Sequence, residues 1–205
     1  HIKAAGVIGE KYHVPVYTTR QIHDGINRSY CVTQKLSTSQ RFININEVTE
    51  ICDFRITAFP VSHDASENVG YHIEYRGKNF TFATDLGHVG PEAAHHLIKS
   101  DYMVLEANYD DDMLENGPYP LYLQARIKSD TGHLSNLQTA RFLAENYTDR
   151  WKYIFLCHLS KENNLPELAY NTIVDHLRNE EIDFEENLQL IALDRMNPSA
   201  MYLFE

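Results

Sequence analysis

Apolar and polar residues alternate most regularly between Val69 and Ala83. Val69–Tyr75 has the period-two pattern of a strand and Asn79–Ala83 repeats it, while Arg76-Gly77 between them suits a tight hairpin turn. If Tyr75 faces Lys78 across that turn, the ladder sets Val69 opposite Thr84. The segment carrying His63, just before the first strand, then lies beside Asp85, just past the end of the second. An imidazole and a carboxylate distant in sequence are brought to one rim of a sheet. A metal site needs such donors, deprotonated at neutral pH and held on rigid elements.

Elsewhere the pattern predicts alternating helices and strands. Ile2–Tyr12 spaces Ile2, Ala5, Val7 and Ile8 as a short amphipathic helix, and Val14–Tyr17 follows as a buried strand. Thr18 or Thr19 can cap a second helix through about Ile26. Residues 27–40 are polar, rich in Ser and Thr, and read as a surface loop. Phe42–Ile45 and Ile51–Phe59 are strand-like, with Thr57, Phe59 and Val61 on one face and Ile56 and Ala58 on the other. Pro91 opens a helix to about Ile98, since proline suits a first turn. Tyr102–Leu105 is a short apolar strand ending at Glu106. Asp110–Leu114 and Leu121–Ile127 have helical spacing, and Ser135 caps a helix through Asn146. Tyr153–Cys157 is a buried strand terminated by His158. A helix over Leu165–Arg178 precedes strands near Leu188–Leu193 and Met201–Phe204. The alternation in the second half is an α/β pattern with covered sheet faces.

Composition narrows the class. At 205 residues the chain has the size of one domain with a real core, and 43% hydrophobic residues with 13 Tyr and 9 Phe indicate a globular protein. No apolar run approaches the length of a membrane span. Cys31, Cys52 and Cys157 lack the spacing of a zinc knuckle or redox pair, so reduced thiols in a cytoplasmic protein are expected. The net charge of −11 disfavours a broad electrostatic footprint for nucleic acid. It does not exclude a nuclease, because metal ions bring their own positive charge. The chain opens at His1 without Met or a charged-then-apolar leader and is expected to be the later part of a larger domain.

Three segments share one design, an apolar strand that ends in a ligand-type residue: residues 80–85 ending at Asp85, residues 153–158 ending at His158, and residues 59–62 followed by His63. Strand ends at one rim of a layered α/β domain are where sites are built. A lone histidine there is usually structural, and a lone aspartate usually caps the next helix. The three together point to metal binding.

His1-Ile2-Lys3, Val61-Ser62-His63-Asp64, Ala83-Thr84-Asp85-Leu86-Gly87, Gly132-His133-Leu134-Ser135-Asn136 and Leu156-Cys157-His158-Leu159-Ser160 resemble the metallo-β-lactamase fold. Within it they are similar to the YycJ/WalJ group of bacterial hydrolases, over essentially the whole chain and in order. The resemblance implies a four-layer αββα sandwich and an H-x-H-x-D-H motif that supplies ligands to two metals. His1 matches the last His of that motif, and the earlier His, His and Asp are expected upstream of this chain. His63 matches the single downstream ligand of the first metal, Asp85 the bridging carboxylate, and His158, beside His1, the last ligand of the second. Such a pair of divalent ions, zinc or manganese, suits hydrolysis. The G-H motif gives His133 a phosphate-binding or proton-donating role, as in phosphodiesterases of this fold that include the tRNA-processing RNase Z group.

Other residues carry weaker signals. Asp64 can orient a ligand or cap a turn, and Glu106 and Asn108 end a strand at the same rim, where they can tether a loop or line the pocket. His88 follows Asp85 closely enough to approach the metals. Asp110-Asp111-Asp112 lacks the pattern of a calcium loop and reads as negative charge at a helix start. Arg126 and Lys128 can contact phosphates or simply face solvent, and His13, His23, His72, His95, His96 and His176 read as surface or packing residues. The function expected is a metal-dependent hydrolase acting on a phosphodiester, with DNA exonuclease its most specific form. Hydrolysis of a small phosphodiester, thioester or lactone, or a non-catalytic binding module, are the alternatives. No membrane partner is expected, and sequence leaves the oligomeric state open.

Overall fold

The computed structural model describes residues 2–204. Strands β1 (Val16–Thr18) and β2 (Gln40–Phe42) form a small parallel pair. Strands β3 (Val48–Ile51), β4 (Phe54–Pro60), β5 (Val69–Tyr75), β6 (Lys78–Ala83), β7 (Tyr102–Glu106), β8 (Tyr153–Cys157) and β9 (Gln189–Ala192) form one seven-stranded sheet in chain order. The helices are α1 (Arg20–Arg28), α2 (Pro91–Ile98), α3 (Asp111–Asn116), α4 (Leu121–Ile127), α5 (Asn136–Glu145) and α6 (Pro166–Asn179).

From β3 to β6 the sheet is antiparallel, and from β6 to β9 it is parallel. The change follows from the connections: short turns join β3 to β4 and β5 to β6, the loop of residues 61–68 that carries His63 joins β4 to β5, and helical crossovers join the rest. The β5–β6 hairpin has the expected register, Tyr75 opposite Lys78. Arg76 and Gly77 carry φ of 47° and 78°, the pair of positive values that a two-residue hairpin turn requires.

The main core lies between the sheet and α2, α5 and α6. Met103, Leu105, Ile154 and Leu156 from the sheet are buried with Leu97, Leu143, Ile173 and Leu177 from the helices. Each fully buried aliphatic side chain of this kind contributes about 1.5–3 kcal/mol. Trp151 is buried in the same cluster, its indole N–H donating to the Leu97 carbonyl at 3.0 Å. On the opposite face of the sheet, Tyr71 meets Thr18 at 3.0 Å. There the unit of α1, β1 and β2, rather than a second large sheet, stands against the seven strands among the described residues.

Four local expectations are corrected, the first being that the strand expected over Phe42–Ile45 runs instead over Gln40–Phe42, where it pairs with β1. The segment Ile51–Phe59 is not one strand, because the chain reverses at Cys52-Asp53, where Cys52 has φ 53° and Ile51 pairs with Phe54. Alternation runs through both arms, so the pattern hides the turn. Residues 7–11 wind as a π-helix within the helix expected over Ile2–Tyr12. Met201–Phe204 is not a strand; its aromatic rings instead pack on the sheet, Phe204 over Tyr102 at 4.2 Å and Tyr202 against Phe155 at 4.9 Å.

Candidate metal centre

Three parallel strands end in step, Ala83 beside Leu105 and Leu105 beside Leu156, so the residues just beyond them arrive at one rim. Asp85 follows β6 and His158 follows β8, with φ of 55° and 57°. That left-handed conformation costs a non-glycine residue on the order of 1–3 kcal/mol and persists only where the surroundings hold it. Two asparagine amides hold it here: Asn68 donates to the Asp85 carbonyl at 2.7 Å and Asn108 to the His158 carbonyl at 2.6 Å.

The histidines are tied down at Nδ1. His63 Nδ1 donates to the Gly132 carbonyl at 3.0 Å, and His158 Nδ1 donates to Glu106 Oε1 at 2.7 Å. Neither acceptor can donate, which assigns the proton to Nδ1 and leaves the Nε2 lone pair free. Both Nε2 atoms face one oxygen: they lie 3.8 Å and 3.6 Å from Asp85 Oδ1. The donors are of the kind divalent ions take, an unprotonated imidazole nitrogen approaching Asp85 Oδ1 from His63 and another from His158, each ring fixed from behind.

His133 joins the cluster. Its Nδ1 also donates to Glu106 Oε1, at 2.7 Å, and its ring stands 5.0 Å from that of His63 and 5.3 Å from that of His158. His63, Asp85 and His133 form one group able to hold a metal, and Glu106, His133 and His158 form another.

Glu106 is fully buried, and its second oxygen accepts the Leu86 N–H at 2.8 Å. Burial alone would raise its pKa, but the hydrogen bonds from His133 and His158 outweigh it and hold the carboxyl below the usual range. The same bond to Glu106 raises the pKa of His158. Sequence offered a loop tether or a pocket-lining role here; the side chain is the common anchor of two imidazoles.

Asp64 lies beside His63, Oδ1 3.5 Å from Nε2, while its other oxygen pairs with Arg126. The hydrogen bond from Arg126 keeps this carboxyl below its ordinary pKa. His88 stands apart from both donor groups, its Nδ1 donating to the Asp130 carbonyl at 2.9 Å. Asp110 caps α3 by accepting the Met113 N–H at 2.9 Å, which accounts for the acidic run. His1 lies outside the described residues.

A cavity of about 310 Å³ opens on His63, His133 and His158, with Arg126, Lys161 and Arg195 at its edges. Arg195 carried no signal in the sequence, since it lies in an irregular segment after β9 and only the fold brings it near His158. A larger cavity of about 640 Å³ beside α2, lined by His72, His95 and His96, contains none of the donors.

Residues 1–154 match the model of the beta-lactamase superfamily domain. The chain is 32% identical over 200 residues to the exodeoxyribonuclease YycJ of Bacillus anthracis, covering 97% of this chain and 75% of that protein. It is 34% identical over 177 residues to the exodeoxyribonuclease WalJ of Streptococcus pneumoniae, covering 86% of this chain and 66% of that one. The crystal structure of the metallo-beta-lactamase fold protein YhfI from Bacillus subtilis superposes with a TM-score of 0.61 at 13% identity, over 93% of this chain and 67% of the other. The backbone likeness and the sequence match agree with a rim where parallel strands deliver histidine and aspartate to one point, and the chain belongs to the beta-lactamase superfamily.

Proposed function

We propose that residues 1–205 form one metallo-β-lactamase-like domain of a metal-dependent phosphodiesterase that acts on DNA, an exonuclease in its most specific form. One observation supports the hydrolytic centre above all: the free Nε2 atoms of His63 and His158 converge on Asp85 Oδ1. A fold hosts many chemistries, so the substrate class rests on the relatives named exodeoxyribonuclease rather than on the architecture. No helix among the described residues is long and apolar enough to cross a membrane.

His63, Asp85 and His158 would hold zinc or manganese, with His1 as a further ligand and Asp85 shared where two ions bind. Divalent ions there would supply Lewis acidity, lower the pKa of water and neutralise phosphate charge. The chain's own residues do the rest. Glu106 holds the rings of His133 and His158 by their Nδ1 protons, so each presents Nε2 to the cavity. His133 can then carry a proton at Nε2 and pass it to the leaving alkoxide while Glu106 stabilises the charged ring. Asp64 and Asn108 steady the surroundings of His63 and His158.

The test is metal depletion followed by reconstitution with zinc or manganese. Turnover is then measured on duplex DNA, single-stranded DNA and an aryl phosphodiester, with the bound metal quantified in parallel. Activity that disappears with the metal and returns with it is expected. A metal-loaded protein that cleaves no phosphodiester, or only a thioester or lactone, would overturn the reading.

A further inference from the structure

The cavity at His63, His133 and His158 has two unlike walls. One is α4 with the residue before its cap: Tyr119, Leu123 and Ile127 line the cavity. Tyr122 and Arg126 stand one turn apart on the same short helix. Tyr122 is 77% exposed; it does not line the cavity itself but stands within one helical turn of Tyr119 and Arg126, which do.

The other wall is cationic. Lys161 follows β8, and Arg195 borders the cavities on both sides of His158. Arg126 is paired with Asp64, and Lys161 stands 3.3 Å from Glu162. Arg195 differs: its Nη1 donates to the Leu159 carbonyl at 2.9 Å, and no carboxylate pairs with it among the described residues. Most of its guanidinium fork stays available to an anion. In a chain of net charge −11, Lys161 and Arg195 put positive charge on this cavity where Asp64 already neutralises Arg126, and that charge complements a phosphate chain.

We propose that this cavity receives the unpaired end of a DNA strand, a terminal base stacking on the tyrosine side of α4 while its phosphates meet Arg195 and Lys161. The inference rests on the phosphodiesterase reading above and specifies the form of its substrate. The volume of about 310 Å³ is at the lower end of small-ligand sites, roughly 300–1,000 Å³, and suits a single terminal nucleotide. Exposed aromatics beside cations are the means by which proteins hold single strands whatever their sequence, because every base has a face to stack and every link a phosphate.

The metal-loaded enzyme is titrated with a short single-stranded oligonucleotide carrying a phosphorothioate backbone, and binding is read by fluorescence anisotropy at several salt concentrations. Tyr122→Ala is expected to weaken binding roughly 5- to 150-fold, the worth of one stacked base. Arg195→Ala should weaken binding and lower the slope of log affinity against log salt by about 0.7, one phosphate contact. Arg195→Lys should restore the slope and only part of the affinity. In cleavage, wild type should prefer a duplex with a single-stranded overhang to one closed by hairpins, and both alanine variants should lose more on the oligonucleotide than on an aryl phosphodiester, which has no neighbouring nucleotide.

Unchanged affinity and salt slope in folded Tyr122→Ala and Arg195→Ala would overturn the proposal, as would equal cleavage of closed and open duplexes by wild type. A wild-type enzyme that cleaves neither DNA nor the aryl phosphodiester would instead remove the function on which the proposal rests.

Discussion

Asp85 and His158 leave the strands on either side of β7 in the same left-handed conformation, φ 55° and 57°, and each has its carbonyl held by an asparagine amide. The paired turns aim the two side chains at one point, Nε2 3.6 Å from Oδ1. Asn108→Ala removes one of these clamps without touching a donor atom. Metal affinity is expected to fall roughly 10- to 100-fold, the usual cost of losing a group that orients a ligand. Chelator competition measures it, and an unchanged affinity would mean the end of β8 holds its own shape.

Glu106→Gln tests the buried anchor. Glu106 accepts from the Leu86 N–H and from the Nδ1–H of both His133 and His158. A glutamine amide must set its own N–H groups against one of these donors. Metal affinity should drop by about 10–100-fold. Stability should fall by about 1–3 kcal/mol because a buried donor loses its acceptor. Thermal unfolding and metal analysis check both, and a wild-type profile would refute the role.

His133 and Asp85 should separate in their effects. His133→Ala is expected to keep its metal and lose roughly 10²–10⁴-fold in turnover, the worth of a positioned acid. The loss should be smaller on an aryl phosphodiester, whose leaving group needs little protonation. Asp85→Ala should lose metal and activity together. Metal loss in His133→Ala would make that residue a ligand, a role its distance to the other donors also permits.

Gly132→Ala probes the support behind His63. An added Cβ would stand 2.1 Å from the Ile127 carbonyl and 2.4 Å from that of Arg126, so the end of α4 or the loop must move. The Gly132 carbonyl is the acceptor for His63 Nδ1, at 3.0 Å. A destabilisation of about 1–3 kcal/mol, typical of overpacking, is expected together with weaker metal binding. Normal stability in urea unfolding would show that the contact yields easily.

Acid should weaken the fold through His96, away from the metal donors. Desolvation first, and then the positive neighbours His72, His95 and Lys99, push its pKa down to about 4. The unfolded chain therefore takes up a proton from about pH 6.5 downward that the folded chain refuses until about pH 4. Stability is full above that window and declines through it, by at most about 1.4 kcal/mol per pH unit and less for a ring partly screened by water. His96→Phe keeps a ring where His96 stacks on Phe59 at 4.6 Å. It should flatten the difference in urea midpoint between pH 7 and pH 5, and an equal decline in both proteins would exclude His96 as the cause.

Much of the scaffold was legible in local pattern. The hairpin register of Tyr75 and Lys78, the Ser135 cap of α5 and the Pro91 start of α2 all appear where the sequence expects them. Period, cap and turn chemistry are short-range properties, set by residues within a few positions of one another. The same reasoning missed the reversal at Cys52, because a non-glycine residue in a left-handed turn leaves no mark on alternation.

Sequence alone therefore determined which donor-type residues end the strands: His63, Asp85 and His158 follow apolar runs whose register is local. Tertiary structure decided what those residues face. Glu106 became the anchor of two imidazoles, Asn68 and Asn108 became clamps, and Arg195 became a cavity cation, through hydrogen bonds and approaches between segments far apart in the chain. A buried carboxylate and an exposed one read alike in a sequence. Only packing sets which donors surround each, and hence its charge and its task.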